Sequence, residues 1–170
     1  MNVLFEDNHI IAINKSCSDI VQGDKTGDTP LVEKVKIYLK EKYNKPGNVF
    51  CGVTHRLDRP VSGIVLFAKT SKALTRLNEM LREREIKKTY WAITKNRPAK
   101  PEMLLEHYLL RNEKQNKSYA YDTPKGDAKK ATLTIKELAT STNYTLLEVD
   151  LQTGRHHQIR CQLAHIGCPI

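Results

Sequence analysis

A charged cluster in the first half of the chain has the composition of a catalytic loop. Residues 54–63 read Thr-His-Arg-Leu-Asp-Arg-Pro-Val-Ser-Gly, so that Asp58 lies between Arg56 and Arg59. Neighbouring cations favour the ionised form of a carboxyl group, which is the form that acts as a nucleophile or a general base. The largely apolar segment 64–69 follows directly and predicts a buried strand that would hold the loop rigidly. The alternative interpretation is that Asp58 forms an ordinary surface salt bridge.

A second charged group, residues 152–160, reads Gln-Thr-Gly-Arg-His-His-Gln-Ile-Arg. Gly154 is expected to open a helix from Arg155 to about Ala164. Helical spacing would then place His156 and Arg160 on one face.

This predicted helix start suits two roles. Arg160 is a candidate ion-pair partner for Asp58. Two arginines and two histidines at a helix start also form a surface suited to phosphate groups. A solvated helix face is the alternative, and the adjacent His156 and His157 point apart, which argues against a metal motif.

A third group is Lys87-Lys88-Thr89-Tyr90-Trp91. Residues 89–94 are β-branched and aromatic, which predicts a strand. A tyrosine on a strand usually belongs to the core. Beside a nucleic-acid site, however, Tyr90 would be able to stack on a base.

The elements that must position these groups follow from periodicity and turn chemistry. Strands are expected at 3–5 and 10–15 as a hairpin, and at 130–138 and 144–151 as an antiparallel pair. Helices are expected over 30–43, with Thr29 as N-cap and Pro30 first, and over about 72–84, capped by Thr70 and Ser71. Segment 95–130 is expected to be irregular strands and loops. This mixture favours an α+β domain with a largely antiparallel sheet over a doubly wound parallel sheet.

Composition limits the partners and the compartment. The chain has 170 residues, with 28 Lys and Arg against 19 Asp and Glu, which gives a net charge of +9. Such a charge favours a polyanionic partner, most often nucleic acid, although a protein can simply be basic. No apolar run is long enough to span a membrane, and residues 1–7 do not form a secretory signal. We therefore expect a cytoplasmic protein without a membrane partner.

Metal, nucleotide and hydrolase motifs are missing from the sequence. The four cysteines form no Cys-x-x-Cys pair and are expected to be reduced thiols. Cys161, His165 and Cys168 have no fourth ligand at motif spacing, so no metal site is expected. Glycine-rich dinucleotide or phosphate loops and a Gly-x-Ser-x-Gly elbow are also missing.

Taken in order, the three charged groups resemble the RluA-type pseudouridine synthases. The resemblance rests on His55-Arg56-Leu57-Asp58 with Ser62-Gly63, on Lys88-Thr89-Tyr90, and on Thr153-Gly154-Arg155-x-His157-Gln158-Ile159-Arg160. It extends from about Val3 to Ile170. Each motif alone is modest, but the ordered set is highly specific.

The resemblance implies a pseudouridine-synthase-like fold over residues 1–170 and the isomerisation of uridine to pseudouridine in ribosomal or transfer RNA, without a cofactor. Asp58 would be the essential aspartate, Tyr90 would pack on the base, and Arg160 would pair with the catalytic carboxylate. Arg56 would occupy the space left by a flipped nucleotide. The remaining expected RNA-binding residues are His55, Lys88, Arg155 and His157.

Three departures from the family pattern qualify these expectations. Val61 stands where Thr is frequent, and Cys161-Gln162 replaces a commoner Val-His pair. The family usually continues beyond Ile170 with a segment that contributes to the uracil pocket, so we expect a C-terminally truncated catalytic domain without an extra N-terminal RNA-binding domain. A monomer is expected. The alternative function is non-catalytic RNA binding on the same fold.

Overall fold

The computed structural model describes residues 1–170 and divides into two compact units, Met1–Glu85 and Ile86–Ile170. Each unit contains one β-sheet, and every strand pairing within the two sheets is antiparallel. Three α-helices accompany the nine strands. The predicted α+β class with largely antiparallel pairing is therefore confirmed.

The first unit is a four-stranded sheet with two helices. In the sheet the strands follow the order β1-β2-β4-β3, so β4 is an internal strand, as its apolar sequence predicts. The elements are β1 Asn2–Glu6, β2 Ile10–Lys15, α1 Leu31–Lys42, β3 Gly52–Val53, β4 Gly63–Ala68 and α2 Ser71–Arg82.

Local sequence signals explain most of these elements. The Asp7 carboxylate accepts hydrogen bonds from the backbone N–H groups of His9 and Ile10, both at 2.7 Å, and closes the β1–β2 turn. The Thr70 hydroxyl accepts the N–H of Ala73 at 3.1 Å and caps α2 as predicted. The prediction for α1 is one residue early, because Pro30 is the extended N-cap residue and the helix begins at Leu31.

The core of the first unit lies between its sheet and α1. Apolar side chains alternate inward along β2 and β4 and meet the buried face of the helix. The fully buried members are Ile11, Ile13, Leu31, Val35, Leu39, Val65 and Phe67.

The carboxylate of Glu6 ties the end of β1 to α1 and to the residue after β4. It accepts hydrogen bonds from Lys42 Nζ (2.8 Å), Lys69 Nζ (2.7 Å), Tyr43 Oη (2.7 Å) and Tyr38 Oη (3.0 Å). The Glu6 side chain is only 7% exposed. Burial raises its pKa, but the four donors outweigh burial and lower the pKa from 4.5 to about 2.

The second unit is a five-stranded sheet covered on one face by a short helix. Its strands follow the order β5-β9-β8-β6-β7. The elements are β5 Thr89–Thr94, β6 Glu102–Asn112, β7 Lys117–Tyr121, β8 Lys129–Thr140, β9 Thr145–Leu151 and α3 Gln158–His165. Leu163 of α3 packs on a core formed by Leu105, Leu133, Ile135, Leu147 and Val149.

Two predictions for this unit are wrong. Segment 95–130 is not irregular, because it contains the β6–β7 hairpin. The alternation along β6 is hard to recognise, since the inward positions include the polar His107 as well as Leu105 and Leu109. Helix α3 also begins three residues later than Arg155, because His157 directly before it has a left-handed backbone conformation with φ of 51°.

Replacing Glu6 with Gln is expected to flatten the acid dependence of stability. A carboxyl group whose pKa is lowered on folding stabilises the protein above its ordinary pKa of 4.5, and this contribution is lost as the pH falls towards 2. Allowing for solvent screening, the loss is about 2 kcal/mol. Urea unfolding between pH 6 and pH 2 measures it.

The matched control is Glu41→Gln, which changes an exposed carboxylate on α1. It should leave the pH profile of the wild-type protein unchanged. An identical profile for both variants would show that the Glu6 network does not contribute to stability.

Candidate active site

The loop that carries Asp58 connects β3 to β4 in the first unit. Its centre is a tight turn, in which the N–H of Val61 donates to the carbonyl oxygen of Asp58 at 3.0 Å. Asp58 is partly buried, whereas Arg56 is exposed. The carboxylate thus sits on a short, hydrogen-bonded segment at the start of a buried strand, a placement suited to a positioned functional group.

Two side chains fasten the start of this loop to β4. The hydroxyl of Thr54 donates to the carbonyl oxygen of Leu66 at 2.7 Å, and Nε2 of His55 accepts the N–H of the same residue at 3.1 Å. The ring proton of His55 therefore lies on Nδ1 when the imidazole is neutral. Beyond the end of the short strand β3, the side chains of Thr54 and His55 thus take over the hydrogen bonding to the backbone of β4.

The ammonium group of Lys15 holds the far side of the loop. Lys15 is the last residue of β2 and is 1% exposed. Its Nζ donates to the carbonyl oxygens of Val61 (2.6 Å), Ser16 (3.0 Å) and Arg59 (3.2 Å). An ammonium group has three hydrogens, so these three backbone acceptors satisfy it completely.

Burial is also the main electrostatic influence on Lys15. Loss of hydration lowers the pKa of its ammonium group, and the negative charges of Asp19 and Asp58 partly oppose this effect. Lys15 is therefore both a hydrogen-bond donor to the loop backbone and a positive charge felt by the Asp58 carboxylate.

The guanidinium of Arg59 pairs with carboxylates outside the Asp58 loop. It donates to the Asp28 carboxylate at 2.8 Å and lies 3.6 Å from the Asp24 carboxylate. The hydrogen bond to Asp28 raises the pKa of Arg59. Arg59 thus anchors the loop to residues 24–28, while its backbone carbonyl accepts from Lys15 and from the N–H of Ser18 at 2.9 Å.

Tyr90 and Lys88 lie at the β5 edge of the second unit. Tyr90 is paired with Val149 of β9 and packs, partly buried, against the core of this unit. Lys88 precedes the strand, and its carbonyl accepts the N–H of Leu151 at 3.1 Å. Its Nζ lies close to Gly154, where an added Cβ would be 3.8 Å away.

A buried amide organises the segment that leads into α3. Gln158 is 3% exposed, and its Oε1 accepts the N–H of Arg155 at 2.9 Å and the hydroxyl of Thr153 at 2.8 Å. Its Nε2 donates to the carbonyl of Thr132 in β8 at 3.1 Å and to Oε1 of Gln162 at 2.9 Å. Arg155 is thereby fixed in its backbone while its side chain stays exposed.

The histidines of this segment are arranged differently from the prediction. His156 lies before α3, and its Nδ1 is 2.9 Å from the hydroxyl of Ser118, so it does not share a helical face with Arg160. His157 is the N-cap residue, with φ of 51°, and stacks on His156 at 3.7 Å between ring centroids. Its Nδ1 lies 3.1 Å from Nη2 of Arg160.

The predicted residues therefore fall into two groups, each positioned by its own unit. His55, Arg56 and Asp58 share the loop of the first unit, and Lys88, Tyr90, Arg155, His157 and Arg160 belong to the second. Sequence reasoning missed Lys15, Gln158 and Gln162 as supporting residues. A lysine that ends the apolar run 10–15 and a pair of glutamines four residues apart are the signals that could have revealed them.

Comparison with known proteins decides the family. The sequence profile described as RNA pseudouridylate synthase matches residues 9–165. The chain belongs to this family. All of the motif residues, from His55 to Arg160, fall inside the matched region.

Curated relatives within the family include two enzymes named for ribosomal large subunit pseudouridine synthesis. Synthase C of Buchnera aphidicola subsp. Baizongia pistaciae is 32% identical over 169 residues, which cover 99% of this chain and 51% of the relative. Synthase D of Yersinia pestis is 31% identical over 171 residues, which cover 100% of this chain and 50% of the relative. The chain thus spans about half the length of the curated relatives it matches.

Solved structures share the fold. The structure of Human RNA Pseudouridylate Synthase Domain Containing 4 superimposes with a TM-score of 0.85 at 22% identity, over 99% of this chain and 66% of the human one. Human RNA Pseudouridylate Synthase Domain Containing 1 gives a TM-score of 0.75 at 17% identity over the same shares. Within the chain, none of the helices has the length and apolar character needed to cross a membrane.

Replacing Lys15 with Met is expected to loosen the Asp58 loop. The carbonyl groups of Ser16 and Val61 lose this donor, whereas that of Arg59 keeps the N–H of Ser18. At about 1 kcal/mol for each unsatisfied group, the free energy of unfolding should fall by about 2 kcal/mol. The amide protons of Ser18 and Val61 should exchange faster with solvent, because both donate to loop carbonyls. Urea unfolding and hydrogen exchange read out the two effects.

Lys25→Met serves as the control, because Lys25 is an exposed loop lysine. Its stability and exchange rates should match those of the wild-type protein. If Lys15→Met also kept wild-type protection at Ser18 and Val61, the ammonium group would not be what holds the loop.

Replacing Gly63 with Ala should destabilise the protein through backbone strain alone. Gly63 begins β4 with φ of 136°, a region that residues with a Cβ rarely adopt, and the nearest side-chain atom to an added Cβ is 3.6 Å away. The expected loss is about 1–3 kcal/mol.

The control is Gly23→Ala, at a glycine without positive φ and with open space around it. It should change the free energy of unfolding by less than about 0.5 kcal/mol. Equal effects of the two substitutions would refute the strain argument.

Proposed function

We propose that residues 1–170 form the catalytic domain of an RNA pseudouridine synthase that converts uridines to pseudouridine in structured RNA. The observation that carries this proposal is the family match over residues 9–165, which includes every residue of the three charged motifs. Ribosomal RNA is the favoured substrate class, because the relatives from Buchnera and Yersinia are named for the ribosomal large subunit.

Asp58 is the proposed catalytic residue. In the isomerisation the bond between ribose C1′ and uracil N1 breaks, and a bond between C1′ and uracil C5 forms. The hydrogen on C5 leaves as a proton, and N1 gains one, so the reaction needs no oxidant, reductant or group donor. The Asp58 carboxylate serves either as a nucleophile towards the ribose or the base, or as the base that removes a ribose proton.

Two residues of the second unit are proposed to serve the same reaction. Tyr90 packs on the uracil and assists removal of its proton, and its position on β5, held in register by β9, supports this role. Arg160 stabilises the catalytic carboxylate, and the imidazole of His157, 3.1 Å from its guanidinium, helps to orient it.

RNA is proposed to bind through basic side chains on both units. Arg56 is exposed on the Asp58 loop and would fill the gap left when the target nucleotide leaves its stack. Lys88, Arg155 and His157 would contact phosphates, while His55 contributes mainly by holding the loop to β4. The net charge of +9 supports association with the RNA backbone. The proposed acting form is a cytoplasmic monomer without a metal or cofactor in the reaction.

Replacing Asp58 with Asn tests the catalytic assignment. The amide is nearly the same size as the carboxylate but is neither a nucleophile nor a base at neutral pH. Release of tritium from RNA that carries uridine labelled at carbon C5 should fall by about 10³-fold or more. Unmodified ribosomal RNA and transfer RNA transcripts should be assayed in parallel, with binding measured separately.

Asp127→Asn is the matched control, an exposed aspartate of the second unit far in sequence from the motifs. It should release tritium at the wild-type rate. Undiminished release by Asp58→Asn would overturn the role of Asp58, and absence of release by the wild-type chain from either RNA would overturn the proposed activity of this chain.

A further inference from the structure

Three potential metal ligands meet in the second unit, and none of them is a residue of the three charged motifs. They are His107 in β6, Asp122 directly after β7, and His165 at the last position of α3. Their ligand atoms all lie within 4.8 Å of one another. His165 and Asp122 are 43 residues apart in the chain, so only the packing of α3 against the β6–β7 hairpin brings them together.

The distances in this cluster are close to those of a coordination sphere. His165 Nε2 lies 2.9 Å and His107 Nε2 lies 3.8 Å from the same oxygen, Asp122 Oδ1. The two imidazole rings are nearly perpendicular, with centroids 4.7 Å apart. Ligands that each lie about 2.0–2.2 Å from a metal ion are about 3–3.6 Å from one another, depending on the coordination geometry, so side-chain adjustments would complete such a site.

We propose that His107, Asp122 and His165 form a binding site for a divalent transition-metal ion such as Zn²⁺, Co²⁺ or Ni²⁺. Two imidazole nitrogens and one carboxylate oxygen are a donor set that these ions prefer over Mg²⁺ or Ca²⁺, which favour oxygen ligands. Water would complete the coordination sphere on the exposed side, where the Asp122 side chain is 80% exposed. The site does not depend on the proposed RNA chemistry.

His107 is the buried member of the cluster. The residue is 7% exposed, and its Nε2 lies on the side of the Asp122 carboxylate at 3.8 Å. Its second nitrogen, Nδ1, lies 2.9 Å from Nε2 of the buried Gln162. Because an amide nitrogen is a donor, Nδ1 accepts this hydrogen bond, and the ring proton lies on Nε2 when no metal is bound.

Metal binding through His107 Nε2 would require a rearrangement of the Gln162 amide. Its Nε2 also lies 3.2 Å from the carbonyl oxygen of Leu105 and 3.3 Å from that of Ala131. The amide therefore has two hydrogens for three acceptors. With a metal on Nε2 the ring proton of His107 would lie on Nδ1 and face the amide hydrogens, so the Gln162 amide would have to turn away from the ring.

A bound ion would act as a structural clamp. It would join the C-terminal end of α3 to the middle of β6 and to the end of β7, in addition to the hydrogen bond between His165 and Asp122. An ion that binds only the folded chain raises its stability. The competing explanation is that the three side chains form a hydrogen-bonded cluster that binds no metal. Metal titration distinguishes the two explanations.

Titration of the metal-free full chain with Zn²⁺ and Co²⁺ tests the site. Calorimetry should show one equivalent bound, and the thermal unfolding midpoint should rise with metal concentration. Asp122→Asn and His165→Gln should each weaken binding by about tenfold or more, with a correspondingly smaller rise in the midpoint. Bound Co²⁺ should show visible d–d absorption without a thiolate charge-transfer band, because the cluster contains no cysteine.

Matched controls are Asp127→Asn, in the same loop region as Asp122, and His9→Gln, an exposed histidine of the first unit. Both should bind metal like the wild-type chain. Absence of binding at up to millimolar metal would favour the purely hydrogen-bonded cluster and refute the site. A thiolate band, or unchanged affinity in Asp122→Asn and His165→Gln, would place the metal elsewhere and refute it equally.

Discussion

The buried ammonium group of Lys15 is the interaction on which the geometry around Asp58 depends. Its hydrogen bonds to the carbonyls of Arg59 and Val61 join the end of β2 to the residues that follow Asp58 in its turn, and a third goes to the carbonyl of Ser16. A buried charge is unfavourable unless it is fully hydrogen-bonded, so the loop backbone must adopt the one arrangement that satisfies it. The backbone that carries the proposed catalytic carboxylate is thus held in part by hydrogen bonds to a buried ammonium group.

Buried amides do the same for the second unit. Gln158 and Gln162 face the sheet from α3 and bind backbone carbonyls of Thr132, Leu105 and Ala131. Apolar packing alone tolerates small shifts of a helix on a sheet, whereas a buried amide with fixed partners does not. Arg155 precedes, and Arg160 belongs to, a helix whose register on the sheet is set by hydrogen bonds.

Sequence patterns predicted the elements whose signals are local. The β1–β2 hairpin, the cap of α2 and the antiparallel pair β8–β9 follow from turn residues, a capping threonine and alternation, and the structure contains them. The β6–β7 hairpin was missed because His107 and other polar side chains interrupt its alternation. The start of α3 was misplaced because its cap is a histidine in the left-handed conformation rather than a conventional capping side chain.

The sequence by itself determined the family and the candidate residues for chemistry, because residue type and order along the chain carry that information. Asp58, Tyr90 and Arg160 were identified in this way and remain predictions. Only the tertiary structure shows which buried polar groups support them. It also shows that His107, Asp122 and His165 lie close together. The physical reason is that the role of a buried lysine, amide or imidazole depends on its hydrogen-bonding partners. These partners are distant in the sequence, and the packing of the folded chain brings them together.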